Sequence, residues 1–521
     1  MHFPRSEDGI GRRRLRASRS SVRPPASTEV HSAGSTPTGD LLSSEGAGSR
    51  AIRGGVLRVG CYFLGVLVSA LSAALLFRHL GVIGTGRYVT ATSLVAIIGA
   101  MSDLGLTAFG VREMSASPPE QRWALARDLL GLRLALTITG GVAVVLFAWA
   151  VYSPLLAEGV ALASVGLLFQ VTQDNFALPL VVGLQLGWVA ALDLLRQFLT
   201  TVFIIFFVLL GADLLPFLGV PIPVGIVVLA ATAFIVRGRR VQSPTFNWQR
   251  WRKILGAILP YSVAVAAGVL YFRVSVLLVS AFCSATQLGY FGTSYRIIDV
   301  LTLVPGLLAG SALPIFARAA RDDTERFRYA LVRVHGVSVI VGAWVAGMIV
   351  IGAPLAIEVI AGPKFAAAVP VLRLQGIGLG ATFVSVTWGY ALLSARRHTA
   401  ILYVNLFALL FNVALVAPLS LLIGARGAAI GTAAAEIVLA TTEVIVVTHA
   451  RPEFRPSWRI LPQTAGALAL AVVPMLFLPI SAIARMFIAS VVYGAVLIMV
   501  RAVPDELLDL LPWRQSCPAG G

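Results

Sequence analysis

Residues 399–422 read TAILYVNLFALLFNVALVAPLSLL, without one charged side chain. A helix rises about 1.5 Å per residue, so this stretch crosses the roughly 30 Å hydrocarbon layer of a bilayer. Immediately after Ile423-Gly424-Ala425-Arg426, residues 427–449 repeat the pattern, interrupted only by Glu436 and Glu443. Two such runs back to back describe a membrane-spanning helical hairpin. Working outward, further apolar segments lie at about 54–79, 88–111, 128–152, 155–178, 188–211, 214–236, 254–283, 286–316, 330–352, 366–394, 459–478 and 481–502. Pro179, Pro216, Pro221 and Pro223 interrupt the fourth to sixth of these. The expected fold is all-α: a polytopic membrane protein of about 14 transmembrane helices, arranged as two six-helix lobes plus two C-terminal helices.

Composition agrees. Of 521 residues, 58% are hydrophobic and 12% charged, against about 25% charged in soluble domains, and the mean hydropathy is +0.87. These figures exclude a soluble enzyme, a secreted disulfide scaffold and a disordered chain. The loops left over are too short for a folded soluble domain. Cys61, Cys283 and Cys517 are far apart, with no metal or redox spacing.

The formal net charge of +17 is explained by orientation rather than by nucleic acid, because positive charge collects in alternate loops. One set holds Arg112, Arg122 and Arg127; Arg237, Arg239, Arg240, Arg250, Arg252 and Lys253; Arg318, Arg321, Arg326, Arg328 and Arg333; Arg396 and Arg397; and Arg451, Arg455 and Arg459. The other set holds only Arg78, Arg87, Lys364 and Arg426. The first set is expected in the cytoplasm, with both termini there and an even number of spans.

Residues 1–53 and 504–521 then read as cytoplasmic tails, the first basic and disordered. Residues 54–236 form the first lobe and 254–450 the second. Residues 451–503 supply the two extra helices. Between the lobes, 237–253 mixes basic residues with Phe246, Trp248 and Trp251 and is expected as an interfacial amphipathic linker. The lobes share a faint repeat: Gly86-Arg87-Tyr88 opens the second span and Gly289-Tyr290-Phe291 the eighth.

A search for enzymatic chemistry finds no phosphate-cradling loop and no metal-ligand cluster, so neither catalysis nor a cofactor is expected. Charges inside spans carry the information instead, because they are costly there and usually face a protein interior or a watery cavity. Arg273 and Arg296 lie at similar depth on neighbouring spans, and Asp299 is one turn from Arg296. One carboxylate cannot neutralise two guanidiniums, so this group should keep positive charge and attract an anion, with phosphate suiting the forked donors. The alternative is an Arg–Asp lock between helices. Asp103, Asp174 (expected to end its helix), Asp193 and Arg196 read as structural or gating ion pairs. Arg78, Arg373, Glu436 and Glu443 leave anchor and gate equally open. Asn405 and Asn412 are expected to hydrogen-bond between helices.

Several motifs resemble Wzx-type oligosaccharide flippases of the multidrug/oligosaccharidyl-lipid/polysaccharide exporter superfamily. They begin with Leu80-Gly81-Val82-Ile83-Gly84-Thr85-Gly86-Arg87-Tyr88, Ser102-Asp103-Leu104-Gly105-Leu106 and Val111-Arg112-Glu113. Leu259-Pro260-Tyr261, Tyr271-Phe272-Arg273, Gly289-Tyr290-Phe291 and Tyr295-Arg296-Ile297-Ile298-Asp299 continue the likeness. Ala361-Gly362-Pro363-Lys364-Phe365, Val369-Pro370-Val371-Leu372-Arg373 and Gly424-Ala425-Arg426-Gly427 extend it to about residue 450. The resemblance implies a V-shaped pair of bundles around a cationic cavity, to which Arg273, Arg296 and Arg78 would contribute. It also implies a lipid-diphosphate-linked oligosaccharide carried by alternating access. Many members have an acidic residue near the position of Val274 or Ser275, and this chain has none, which leaves a coupling ion, H⁺ or Na⁺, unassigned. The expected protein is thus a bacterial plasma-membrane flippase with lipid-linked oligosaccharide, the bilayer and polysaccharide-assembly proteins as partners. An ion-coupled drug exporter of the same superfamily, a membrane glycan polymerase or ligase, and a cell-wall scaffold are the rivals.

Overall fold

The computed structural model describes residues 47–236, 243–322, 324–395 and 397–502. The tail before residue 47, the linker residues 237–242 and the tail from 503 onward lie outside the described residues, so those expectations are not addressed by it. The described residues from Ala51 onward cohere as one unit.

The apolar runs become fifteen α-helices among the described residues. In order they are α1 (Ala47–Asp103), α2 (Leu106–Ala116), α3 (Pro119–Val151), α4 (Pro154–Val182), α5 (Leu186–Leu209), α6 (Leu214–Gly219), α7 (Pro221–Ile235) and α8 (Trp248–Phe282). There follow α9 (Ala285–Leu301), α10 (Leu303–Asp322), α11 (Thr324–Ile360), α12 (Val369–Ser394), α13 (His398–Ala450), α14 (Ile460–Phe477) and α15 (Ala482–Met499). Among the described residues, eleven stretches are long and apolar enough to cross a membrane. Two of these, Leu64–Ala116 and Thr399–Ala450, run to 53 and 52 residues. Straight, each would reach about 80 Å, more than twice the hydrocarbon thickness.

Each long stretch is broken by a glycine of positive φ, Gly81 at 66° and Gly424 at 62°. In α13 the reversal shows in the packing: a Cβ on Gly431 would lie 3.0 Å from Val416 Cα, although fifteen residues of straight helix would separate them by about 22 Å. Read as hairpins, these two stretches bring the spans to thirteen, and α9 with α10 completes fourteen.

Packing falls into two bundles. Helices α2–α7 contact one another, α8–α13 contact one another, and α14 and α15 pair and lie against α11. At α11 the close approach uses Gly352, where a Cβ would stand 2.9 Å from Met486 Sδ.

Four expectations need correction. The span at 286–316 is not continuous: Pro305 cannot donate a backbone hydrogen bond, and the helix kinks at Thr302, whose hydroxyl bonds Ile298 O. The span at 88–111 breaks at Leu104 and Gly105, which adopt φ of 39° and 80°. Asp174 does not end its helix, because α4 continues to Val182. In its described part the 237–253 linker is no separate helix. Residues 243–247 have no regular secondary structure and Trp248 already starts α8, because the extended Asn247 caps that helix by accepting from Arg250 N. Phe246 and Trp248 remain 71% and 70% exposed, consistent with an interfacial position.

Candidate functional site

The turn Cys283–Ser284 between α8 and α9 sets the site. Ser284 caps α9 by accepting from Gln287 N. The two helices run back antiparallel, so Arg273, ten residues before the turn, and Arg296, twelve after it, come level. Both reach one atom: Asp299 Oδ2 lies 3.5 Å from Arg273 Nη2 and 3.5 Å from Arg296 Nη1. The Arg273 guanidinium also lies over the Tyr295 ring at 5.7 Å, and the Tyr295 hydroxyl donates to Phe272 O at 2.6 Å, fixing the ring. Two guanidiniums on one carboxylate leave a group of one net positive charge. Its members are only partly covered, with Arg296 47% exposed.

Asp299 faces a cavity of about 480 Å³ between the bundles. The opposite wall comes from α1 and α5, with Ser69, Asp193, Arg196 and Gln197 among its lining residues. Arg196 is held by Asp174 at 3.2 Å and by the Gln173 side chain. The structure therefore joins Asp299, Asp193 and Arg196 at one cavity. The α5 wall carries one carboxylate, one amide and the Arg196 guanidinium, and the facing wall presents Asp299, through which Arg273 and Arg296 are tied to the cavity.

The remaining sequence-selected residues do other work. Asp103 accepts from Thr107 N at 3.2 Å and so caps α2 at the Leu104–Gly105 break. It also accepts from Arg133 Nη2 at 2.6 Å. Arg133, 2% exposed, escaped the sequence reading. Its signal was an arginine in the apolar run Gly131-Leu132-Arg133-Leu134-Ala135. Arg78 donates from Nη2 to Glu358 O and Val359 O at 3.0 and 2.7 Å, filling carbonyls that end α11. Arg373 donates to Val350 O at 3.0 Å, the carbonyl that Pro354 in α11 leaves without its helical partner.

Glu436 and Glu443 point inside the second bundle, each 7% exposed. Glu436 accepts from Tyr271 at 3.0 Å and from Thr382 at 2.9 Å. It lines a small chamber of about 40 Å³ with Ser275, Asn412, Gln375 and Asp299. Asn412 accepts from Ser275 and Asn405 donates to Ala264 O, so both asparagines bridge α13 to α8.

The bundles touch on both sides of this region. Gly86 and Gly289, matched by the sequence repeat, meet face to face: a Cβ on Gly86 would lie 2.9 Å from Gly289 N, and one on Gly289 would strike Val82 O. Elsewhere Ser262 donates to Leu104 O at 2.5 Å. The buried Asp128 of α3 accepts from Thr245 at 2.5 Å and from Arg250 at 3.0 Å.

Comparison with solved structures places this fold among known transporters. The lipid II flippase MurJ in an inward closed conformation aligns with a TM-score of 0.71 at 14% identity, over 86% of this chain and 99% of that one. An inward-facing multidrug resistance MATE family transporter of the MOP superfamily aligns at 0.62 and 15% identity, over 76% and 97%. A MOP superfamily transporter from Pyrococcus furiosus aligns at 0.54 and 17%, over 82% and 100%. A comparison with curated proteins gave no match. The sequence model of the polysaccharide biosynthesis protein family matches residues 75–370, more than half of the chain, and the chain belongs to that family.

Proposed function

We propose that this protein is a flippase that carries a polyprenyl-diphosphate-linked oligosaccharide across the bacterial plasma membrane by alternating access, for polysaccharide export. The observation that carries this reading is the shared Asp299: Arg273 and Arg296 both lean on it, and the group keeps one positive charge beside a cavity between two bundles. A glycan cannot enter hydrocarbon unassisted, because each unpaired hydroxyl costs several kcal/mol there. In this reading the cavity hydrates the sugars, and Asp193, Gln197 and Arg196 offer them hydrogen bonds. Arg273 and Arg296 leave Asp299 for the diphosphate, to which guanidinium donates two parallel bonds, while the lipid tail stays in the bilayer. Rocking of the bundles about their contacts exchanges the open side. No bond in the cargo is broken, so no enzymatic step is required. Both termini lie in the cytoplasm by the distribution of basic loops.

Ion coupling has a place in the same reading. Glu436 is a buried carboxylate in a chamber that also reaches Asp299, so H⁺ or Na⁺ taken up there bears on the residue that holds the arginines. The multidrug reading shares this feature. It is separated by cargo: drug efflux that depends on Asp299 would support it, whereas dependence on Asp103 would report its scaffold contacts with Thr107 and Arg133. The flippase reading predicts that Arg273→Ala and Arg296→Ala each abolish glycan export while the protein still reaches the membrane. Wild-type export by both variants would refute the site.

A further inference from the structure

A second cavity, of about 210 Å³, lies away from the bundle interface, where the ends of α10, α12 and α13 meet the start of α11. Its floor is apolar and closed: Phe327, Leu392 and Phe454 are 3%, 1% and 7% exposed. Its rim is polar, with Thr324 at the start of α11 and the guanidinium-bearing Arg397 and Arg451.

The arginines are not needed to close the carbonyl ends of the helices there. Backbone N–H groups do that: Ala395 N bonds Ala391 O, Arg397 N bonds Leu392 O and Arg451 N bonds Val447 O, at 3.0, 3.1 and 2.9 Å. Arg397 also directly precedes α13, whose N-terminus has no side-chain cap, and the first amides of a helix carry partial positive charge. Among the described residues Arg451 has one acidic neighbour, Glu453 at 3.4 Å, with both side chains about half exposed, and its guanidinium lies 5.8 Å above the Phe454 ring at the edge of the apolar floor. The result is a small pocket with a greasy base and a cationic rim at the ends of membrane spans, where headgroups lie.

We propose that this pocket is a binding site for an anionic phospholipid, its phosphodiester held by Arg397 and Arg451 and the adjoining glycerol and acyl carbons seated toward Phe327 and Phe454. Charge complementarity selects the anion, and the apolar floor at the end of the spans selects a lipid over a soluble phosphate. The site is separate from the Arg273–Arg296 group and does not depend on what that group carries.

Native mass spectrometry of the full chain in detergent, with phosphatidylglycerol added, tests it. One phosphatidylglycerol should stay bound under activation that strips the others, and phosphatidylcholine should not. Arg397→Ala with Arg451→Ala should weaken that binding about 25-fold, since each basic residue near a lipid surface contributes on the order of a fivefold factor. Arg252→Ala with Arg426→Ala, an equal loss of charge elsewhere, should leave it unchanged. The exposed single variant Arg397→Gln should give a smaller loss in the same direction and guards against a folding failure of the pair. Equal losses in both double variants would reduce the effect to general surface charge and overturn the site. Equal retention of phosphatidylcholine, or displacement of the lipid by millimolar inorganic phosphate, would overturn the anionic-lipid assignment.

Discussion

Arg133 and Asp103 show how one ion pair can have unequal halves. Arg133 is 2% exposed and Asp103 44%. Removing the carboxylate leaves a buried guanidinium with its charge uncompensated and only the Thr107 hydroxyl to accept from it, whereas removing the guanidinium leaves a half-solvated carboxylate that still holds Thr107. Asp103→Ala should therefore cost about 3 kcal/mol and Arg133→Met only about 1 kcal/mol, read from thermal unfolding of the detergent-solubilised protein. The opposite order would refute this assignment. Arg373 permits a cleaner cycle. If its bond to Val350 O answers the donor missing at Pro354, Arg373→Ala should cost about 2 kcal/mol in the wild type. In a Pro354→Ala background, where the helix supplies its own N–H, it should cost less than half as much. Equal costs in both backgrounds would break the link.

At the scale of elements, the decisive contact is the crossing of the second half of α1 with α9. Gly86 and Gly289 let the two backbones meet where a side chain would collide with Gly289 N or Val82 O. Gly289→Ala should push the bundles apart at this end. Spin labels on either side of the crossing should report a longer distance, with transport reduced. An unchanged distance would show that the crossing is not tightly packed.

The sequence exposes this level unevenly. Span positions are legible because an apolar run must be a helix in lipid, and the shared Asp299 is legible because a helical hairpin brings residues equally far from its turn to the same depth. The breaks at Leu104–Gly105 and at Thr302 are not. Whether a helix can break inside a membrane depends on what satisfies the freed groups; at Leu104 these are Ser262, which bonds the Leu104 carbonyl, and the capping Asp103, itself held by Arg133, so the supporting residues Ser262 and Arg133 lie 158 and 29 residues from Leu104. Arg133 was hidden for the same reason, its role being set by a partner on another helix.

At the scale of the whole molecule, the described residues form an all-helical fold, readable as fourteen spans, in which two bundles meet on both sides of a polar cavity, and the few charges within the spans divide by role. Arg78, Arg133 and Arg373 complete the scaffold, each satisfying carbonyls or a carboxylate left open by a helix end, break or proline. Arg273 and Arg296 share one acidic partner, and that surplus is what an anionic cargo would use. The net charge of +17 therefore says little about substrate, since basic residues cluster in alternate loops, the pattern expected of orientation signals.

The central claim is that this surplus carries a lipid diphosphate through the membrane. It is tested most directly by reconstituting the purified protein into vesicles with a polyprenyl-diphosphate oligosaccharide and measuring the transfer of glycan between leaflets. The account predicts transfer by the wild type and loss of at least about tenfold in Arg273→Ala and in Arg296→Ala, equivalent to the roughly 1.4 kcal/mol that a weakened charge-assisted contact is worth. Arg133→Met, which touches only the scaffold, should retain transfer wherever it folds. Undiminished transfer by both arginine variants would contradict it.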